Sequence, residues 1–270
     1  MPESDIKTVR EYYDSDPQGE YERISGRPEF LITTRFMKRV IKSGDSVLDI
    51  GGGPGIYSHW LARLGCKVTL CDLSEENVRF AREKARESGL DITAVCGDAR
   101  DADKLIDGQF DHVLLMGPLY HLLEEADRIK AVNAALSLLK NGGTLWSAFI
   151  LMFSGIIFEM KNCPELIVSD LPMEVECRRA VLDGDNYGGD AFTKAFFISQ
   201  GEIEPFMRRF PLEKLFLFAQ EGILSPCEKN IMSQPENIVS AWLDFAEKLA
   251  ERPEMLSWGE HAMFVGRKTV

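Results

Sequence analysis

The chain is 270 residues long, 45% hydrophobic and 27% charged, with a formal net charge of −12 and a pI near 4.9. That length holds one large domain, or one domain with an insertion, and the apolar fraction is ample for a core. The acidic balance, with no Lys/Arg-rich run, excludes the positive footprint of a polynucleotide binder, and the apolar stretches are too short for a membrane span.

In chain order, residues 1–29 are polar with scattered aromatics, among them Tyr12, Tyr13 and Tyr21. The tyrosines imply packing, because disordered tails are aromatic-poor. Asp16-Pro17-Gln18-Gly19 reads as a turn. Phe30, Leu31, Thr34, Met37, Val40 and Ile41 then repeat at helical spacing, and Ser43-Gly44-Asp45 stops that helix. Residues 1–43 are thus expected to form a helical cap segment, with no secretory-type start. The six cysteines form no Cys-x-x-Cys pair and are expected to be buried reduced thiols of a cytoplasmic protein.

Residues 44–150 alternate strand and helix. Val47-Leu48-Asp49-Ile50 is a short apolar run ending near an acid, followed by Gly51-Gly52-Gly53-Pro54-Gly55 and then by helical spacing from Ile56 to Leu64. That order reads as buried strand, tight glycine turn and helix N-terminus, where free N–H groups can meet a carboxylate or phosphate. Lys67–Asp72 is a second strand ending in an acid. Ser74 caps the next helix and Gly89 ends it. Ile92–Cys96, Phe110–Met116 and Thr144–Ile150 are further strands, with a helix over 126–139 before the last. This alternation predicts a parallel, doubly wound α/β sheet.

Residues 151–200 break the rhythm and read as an insertion after the fifth strand, helical at first and loop-like later. Its first part is too apolar to lie exposed, so the insertion is expected to be a lid over the site, with a homodimer surface as the alternative. In residues 201–270 a helix near 202–209, a strand over 212–219, a helix over 236–251 and a strand over 261–267 finish the sheet as an antiparallel pair.

The glycine spacing discriminates between nucleotide classes. The dinucleotide fingerprint needs Gly-x-Gly-x-x-Gly, and its third place falls on Ile56, which counts against a nicotinamide-dependent oxidoreductase. A P-loop is excluded because no Gly-Lys-Ser/Thr follows. Asp49-x-Gly51-x-Gly53-x-Gly55 instead resembles the first motif of the class I S-adenosylmethionine-dependent methyltransferases. An acid after the second strand, Gly97-Asp98-Ala99 after the third and Leu138-Leu139-Lys140-Asn141-Gly142-Gly143-Thr144-Leu145 before the fifth extend that resemblance over roughly residues 40–150. It implies a Rossmann-like seven-stranded sheet of order 3-2-1-4-5-7-6 with the last strand antiparallel, and S-adenosyl-L-methionine as cofactor.

Ligands of open α/β sheets bind at the carboxyl ends of the strands, so the candidate cofactor-binding residues are Asp49, Gly51, Gly53, Gly55, Asp72, Leu73, Asp98, Ala99, Met116 and Gly117. Asp72 is placed to accept from ribose hydroxyls and Asp98 from the adenine amino group. Asp49 orients the turn or meets the methionine ammonium. At the fourth strand's end, Met116-Gly117-Pro118-Leu119-Tyr120 lacks the Asp/Asn-Pro-Pro-Tyr of enzymes that methylate DNA amines, and Gly-Pro-Leu-Tyr-His-Leu resembles small-molecule methyltransferases. Tyr120 and His121 are the candidate catalytic residues, the histidine as a base if the acceptor carries a proton. No metal-ligand spacing is found, so no metal is expected. The expected function is methyl transfer to a small-molecule acceptor by in-line displacement, the alternative being a cofactor-binding regulatory protein without turnover.

Overall fold

The structure, a computed structural model, describes residues 2–270. Its frame is one mixed sheet of nine strands: β1 (Ser46–Ile50), β2 (Lys67–Asp72), β3 (Ile92–Cys96), β4 (Phe110–Leu115), β5 (Leu139–Leu151), β6 (Tyr187–Asp190), β7 (Lys194–Ile198), β8 (Leu212–Ala219) and β9 (His261–Lys268). The first five pair in parallel in the order β3-β2-β1-β4-β5. β9 lies antiparallel on β5 from Thr144 to Ile150, and β8 lies antiparallel on β9. With β6 and β7 set aside, this is the expected order 3-2-1-4-5-7-6 with a reversed final strand.

The strand sequences are apolar on both faces because helices cover both. Leu48, Ile50, Val113 and Leu115 join one cluster and Val47, Leu114, Trp146 and Met263 the other. Fully burying each such side chain stabilises the fold by roughly 1.5–3 kcal/mol. Trp146 is wholly buried, and its indole N–H donates to Thr144 Oγ1 at 2.9 Å.

Three helices precede the sheet, α1 (Glu3–Ser15), α2 (Pro17–Ile24) and α3 (Pro28–Val40). The turn expected at 16–19 is instead the start of α2. The Asp16 side chain accepts from Gly19 N at 2.8 Å and Pro17 sits in the first turn, so residues typical of turns here cap a helix. α3 is held on the sheet by Phe36, which stacks on Phe218 of β8 at 3.8 Å between centroids. That docking carries the first turn of α3, with Glu29, to the carboxyl edge of the sheet.

The remaining helices are α4 (Ile56–Arg63), α5 (Glu75–Glu87), the short α6 (Ala102–Leu105), α7 (Glu125–Ser137), α8 (Ser154–Asn162), α9 (Pro172–Asp183), α10 (Gln200–Met207), α11 (Glu228–Met232), α12 (Glu236–Leu249) and α13 (Pro253–Ser257). α7 stops at Ser137, two residues before the expected end, and β5 starts at Leu139, with an irregular register against β4 between Phe110 and His112.

The insertion departs most from expectation. Its later part is a hairpin rather than a loop: β6 pairs antiparallel with β7, and β7 adds in parallel to the last two residues of β5. Gly188 and Gly189 lie within the β6 ladder, where they mimic loop composition. In its first part, Phe158 and Met160 remain about half exposed, at 54% and 51%, so the apolar stretch is only partly covered. All six cysteines are unpaired; Cys96 and Cys227 are exposed rather than buried. Among the described residues no helix is long and apolar enough to cross a membrane.

Candidate functional site

The glycine turn between β1 and α4 is built on backbone that other residues avoid. Gly51, Gly53 and Gly55 all have positive φ, and Gly55 is the left-handed cap of α4. A Cβ on Gly51 would strike Pro118 Cδ at 2.4 Å, so that glycine is fixed by packing of the turn against the loop after β4. A Cβ on Gly53 would meet only Asn77 Nδ2 at 3.9 Å, because this position opens onto a cavity. The cavity is narrow, about 140 Å³, and its walls include Gly51, Gly53, Asp72, Leu73, Asp98, Ala99, Met116 and Gly117.

The two acids of this edge are buried. Asp72, at the end of β2, accepts from Gly53 N at 2.7 Å and Ser74 N at 2.9 Å, and from the Asn77 amide at 3.3 Å. Its carboxylate thus ties the turn after β1 to the start of α5, and burial raises its pKa while these donors pull it down. Asp49 accepts from Ser58 Oγ at 2.7 Å, and burial pushes its pKa up to about 7 despite that bond. A carboxyl held so high stores an affinity for a cation that would restore its charge.

Asp98 is occupied differently. Arg100 grips it through Nε and a terminal nitrogen at 2.6 Å, and Arg100 also reaches Asp127 at 3.0 Å. Asp98 lines the cavity, but its charge is already shared with this guanidinium. Gly117 is close-packed: a Cβ there would lie 3.0 Å from the Gly51 carbonyl, so this glycine permits two loops to touch.

His121 is not free. Its Nδ1 lies 2.9 Å from the Lys194 carbonyl, which fixes a proton on that nitrogen, and Nε2 then accepts from the Tyr13 hydroxyl at 2.8 Å. Burial lowers its pKa to about 4. Both nitrogens are committed, so in this arrangement no lone pair remains for an acceptor's proton. The ring instead fastens the loop after β4 to α1 and β7. Tyr120 is partly buried beside it, and desolvation raises its pKa.

The sequence pointed to none of the polar groups on the opposite wall. Glu29, Tyr57, Gln220 and His261 line the same cavity. Glu221, after β8, accepts from the His261 backbone N at 3.0 Å and pairs with His261 Nδ1 at 2.5 Å. The Glu221 and Glu29 carboxylates raise the pKa of His261 to about 9 against its burial. Glu29 Oε2 and Gln220 Oε1 are buried without a hydrogen-bond partner, as is the Tyr57 hydroxyl beyond a loose approach to Thr33. No local spacing could reveal this group, because its members come from α3, α4 and the ends of β8 and β9.

A second, wider chamber of about 960 Å³ adjoins the first, sharing Tyr13, Glu20, Arg23, Tyr120 and His261. α8, α9 and the β6–β7 hairpin form its outer wall through Phe158, Glu159, Cys177, Tyr187 and Phe192. α1 lies over the opening: Asp14 accepts from the Ser74 hydroxyl at 2.5 Å, and Tyr12 packs on Phe192 at 5.8 Å.

Residues 47–143 match the family described as a methyltransferase domain. The ubiquinone biosynthesis O-methyltransferase of Xanthomonas campestris pv. campestris (strain B100) is 39% identical over 108 residues, 40% of this chain and 44% of that protein. The chain thus spans under half the length of this curated relative. Among solved structures, 1,6-didemethyltoxoflavin-N1-methyltransferase of Burkholderia thailandensis, with its substrate and S-adenosylhomocysteine bound, superposes with a TM-score of 0.63 at 14% identity, over 100% of this chain and 91% of that one. Magnesium protoporphyrin IX methyltransferase of Synechocystis PCC 6803, with S-adenosylhomocysteine bound, gives 0.58 at 16%, over 98% and 100%. At these identities the structural likeness speaks for the fold.

Proposed function

We propose, from the match of residues 47–143 to a methyltransferase domain and to a ubiquinone biosynthesis O-methyltransferase, that this chain is a class I methyltransferase that binds S-adenosylmethionine and methylates a small-molecule acceptor. The observation that carries the reading is the cradle at Gly53, whose missing side chain faces the cavity while its N–H is held by Asp72. Backbone that open, beside a buried carboxylate at the end of β2, fits a nucleoside with vicinal hydroxyls.

When bound, S-adenosylmethionine supplies a methyl group on a sulfonium, already activated for transfer. The work left to the protein is alignment and exclusion of water. Asp72 and Leu73 would hold the ribose, Ala99 and Asp98 the adenine side, and Asp49 with Gly51 the methionine end. Asp49 suits an ammonium because burial has raised its pKa, so a cation nearby favours its charged form. Met116 and Gly117 would lie toward the acceptor.

The acceptor would enter through the wide chamber, whose size suits a small organic molecule. Residues 151–200 act in this reading as a cover, with the β6–β7 hairpin as its fixed edge and α8–α9 as its outer wall. Residues 1–43 close the cofactor side through Asp14 and Tyr13. Calorimetry with S-adenosylhomocysteine, followed by labelled-methyl transfer to a panel of phenols, amines and carboxylic acids, tests the reading. Binding with transfer to one class supports it; absence of cofactor binding refutes it.

A further inference from the structure

We propose that Glu29, Glu221 and His261 bind a divalent cation where the narrow cavity meets the wide chamber. Each offers one ligand atom, and these atoms lie within 4.8 Å of one another. Metal bonds to carboxylate oxygen and imidazole nitrogen are about 2.0–2.2 Å, which puts neighbouring ligand atoms roughly 3–3.5 Å apart. A small inward movement of Glu29, on the first turn of α3, closes the set. Glu221 and His261 are held side by side where the β8–β9 ladder pairs Ala219 with Ala262 and are joined by the bond between His261 Nδ1 and Glu221 Oε1, so the cation replaces a proton of the imidazole, which leaves to solvent.

Charge and hydrogen bonding both call for a cation here. Two carboxylates face one imidazole that they hold protonated, which leaves one negative charge in excess, and the cations whose charge reaches Glu29, Arg23 and Arg27, place their hydrogen bonds elsewhere. Arg27 forks onto Glu228 at 2.6 Å, Lys161 takes Glu260 at 2.8 Å, and Arg23 takes Glu20 at 2.7 Å. Glu29 Oε2 is left buried and unpaired. Independently, Gln220, 1% exposed, turns its amide N–H toward Thr33 and leaves Oε1 without a donor in the wall of the same cavity. The Tyr57 hydroxyl, in the same wall, reaches only toward Thr33. The orphaned Glu29 and Gln220 oxygens offer lone pairs, and a buried lone pair without a donor is costly. A set of carboxylate and amide oxygens with one imidazole suits Mn²⁺, Fe²⁺ or Zn²⁺ better than a soft ion.

The site borders both cavities through His261. Its role there rests on the methyl-transfer reading: the cation grips an oxygen of the acceptor at the mouth of the cofactor site. Acceptors bearing a hydroxyl or carboxylate oxygen are then preferred.

Manganese chloride titrated into chelator-treated protein, followed by calorimetry and by electron paramagnetic resonance of free Mn²⁺, tests the site. One ion per chain is expected, with affinity at least tenfold lower in Glu29→Gln and in His261→Asn and unchanged in the exposed control Glu83→Gln. In wild-type protein Mn²⁺ should also broaden the His261 ring resonances selectively. Absence of Mn²⁺ and Zn²⁺ binding, or equal binding by Glu29→Gln and His261→Asn, overturns the proposal. S-adenosylhomocysteine is titrated separately: metal binding without cofactor binding upholds the cation site and refutes the methyl-transfer reading, and cofactor binding without metal binding does the reverse.

Discussion

The Tyr13 hydroxyl donates to His121 Nε2 at 2.8 Å, joining the first helix of the chain to the loop after β4. The same imidazole bonds the Lys194 carbonyl of β7, so one ring connects the N-terminal segment, the core and the insertion. Both nitrogens of a residue that sequence reasoning places as a base are thus held by partners from other elements. Its two partners lie 108 and 73 residues away, and nothing near position 121 announces them.

Removing the first of these bonds should loosen α1. Tyr13→Phe leaves His121 Nε2 buried without a donor, a cost of about 1–3 kcal/mol. The thermal unfolding midpoint should fall accordingly, and amide exchange should speed up across residues 3–15. Unchanged exchange in α1 would show that Asp14 and the aromatic contacts hold the helix without Tyr13.

The buried ring also makes stability depend on pH. Burial keeps His121 neutral with its pKa lowered to about 4, whereas the unfolded ring protonates near 6.5. The unfolded chain therefore binds the extra proton between these values. The contribution is complete above about pH 6.5 and is lost as pH falls toward 4, by roughly 3 kcal/mol at most. Denaturant unfolding of wild type and His121→Gln at pH 7.5 and 4.5 should show the gap between them shrinking in acid. A gap that widens in acid contradicts a neutral His121.

The insertion should respond to ligand. If α8 and α9 cover the site, hydrogen exchange over residues 154–183 should slow on binding S-adenosylhomocysteine, with no change in mass by light scattering. The β6–β7 hairpin, already laddered onto β5, should change less. Exchange that ignores the ligand but tracks protein concentration would mark this face, with Phe158, Val168 and Leu182 exposed, as a subunit contact.

Gly53→Val separates fold from binding. Its φ of +55° is strained for any L side chain, and the added methyls project into open cavity rather than into protein. The variant should stay folded by circular dichroism while losing cofactor affinity at least tenfold. Full affinity in a folded variant would remove the turn from the binding site.

The core strands and their terminal acids were legible because local pattern decides them. A both-faces-apolar strand, a glycine turn and a capped helix are each written within ten residues, as in 47–56. Asp16-Pro17 misled because the same residues serve turns and helix N-caps, and only the helical run of Glu20 to Ile24 tells the two apart. Gly188 and Gly189 concealed β6, whose pairing with β7, itself laddered onto β5, is a tertiary fact. The group of Glu29, Gln220 and His261, with Glu221 buried behind His261, was invisible for the same reason: each residue is ordinary alone, and the β8–β9 ladder with the docking of α3 brings them together.

Titration of S-adenosylhomocysteine into wild-type protein and Asp72→Ala tests the central claim most directly. The Asp72 carboxylate ends β2 with its oxygens toward Gly53, Ser74 and Asn77, where ribose hydroxyls would compete for it. Wild type should bind one equivalent, and Asp72→Ala should bind more weakly by roughly 1.5–3 kcal/mol, about ten- to a hundredfold. No binding by folded wild-type protein, or equal affinity in a folded Asp72→Ala, would contradict the account.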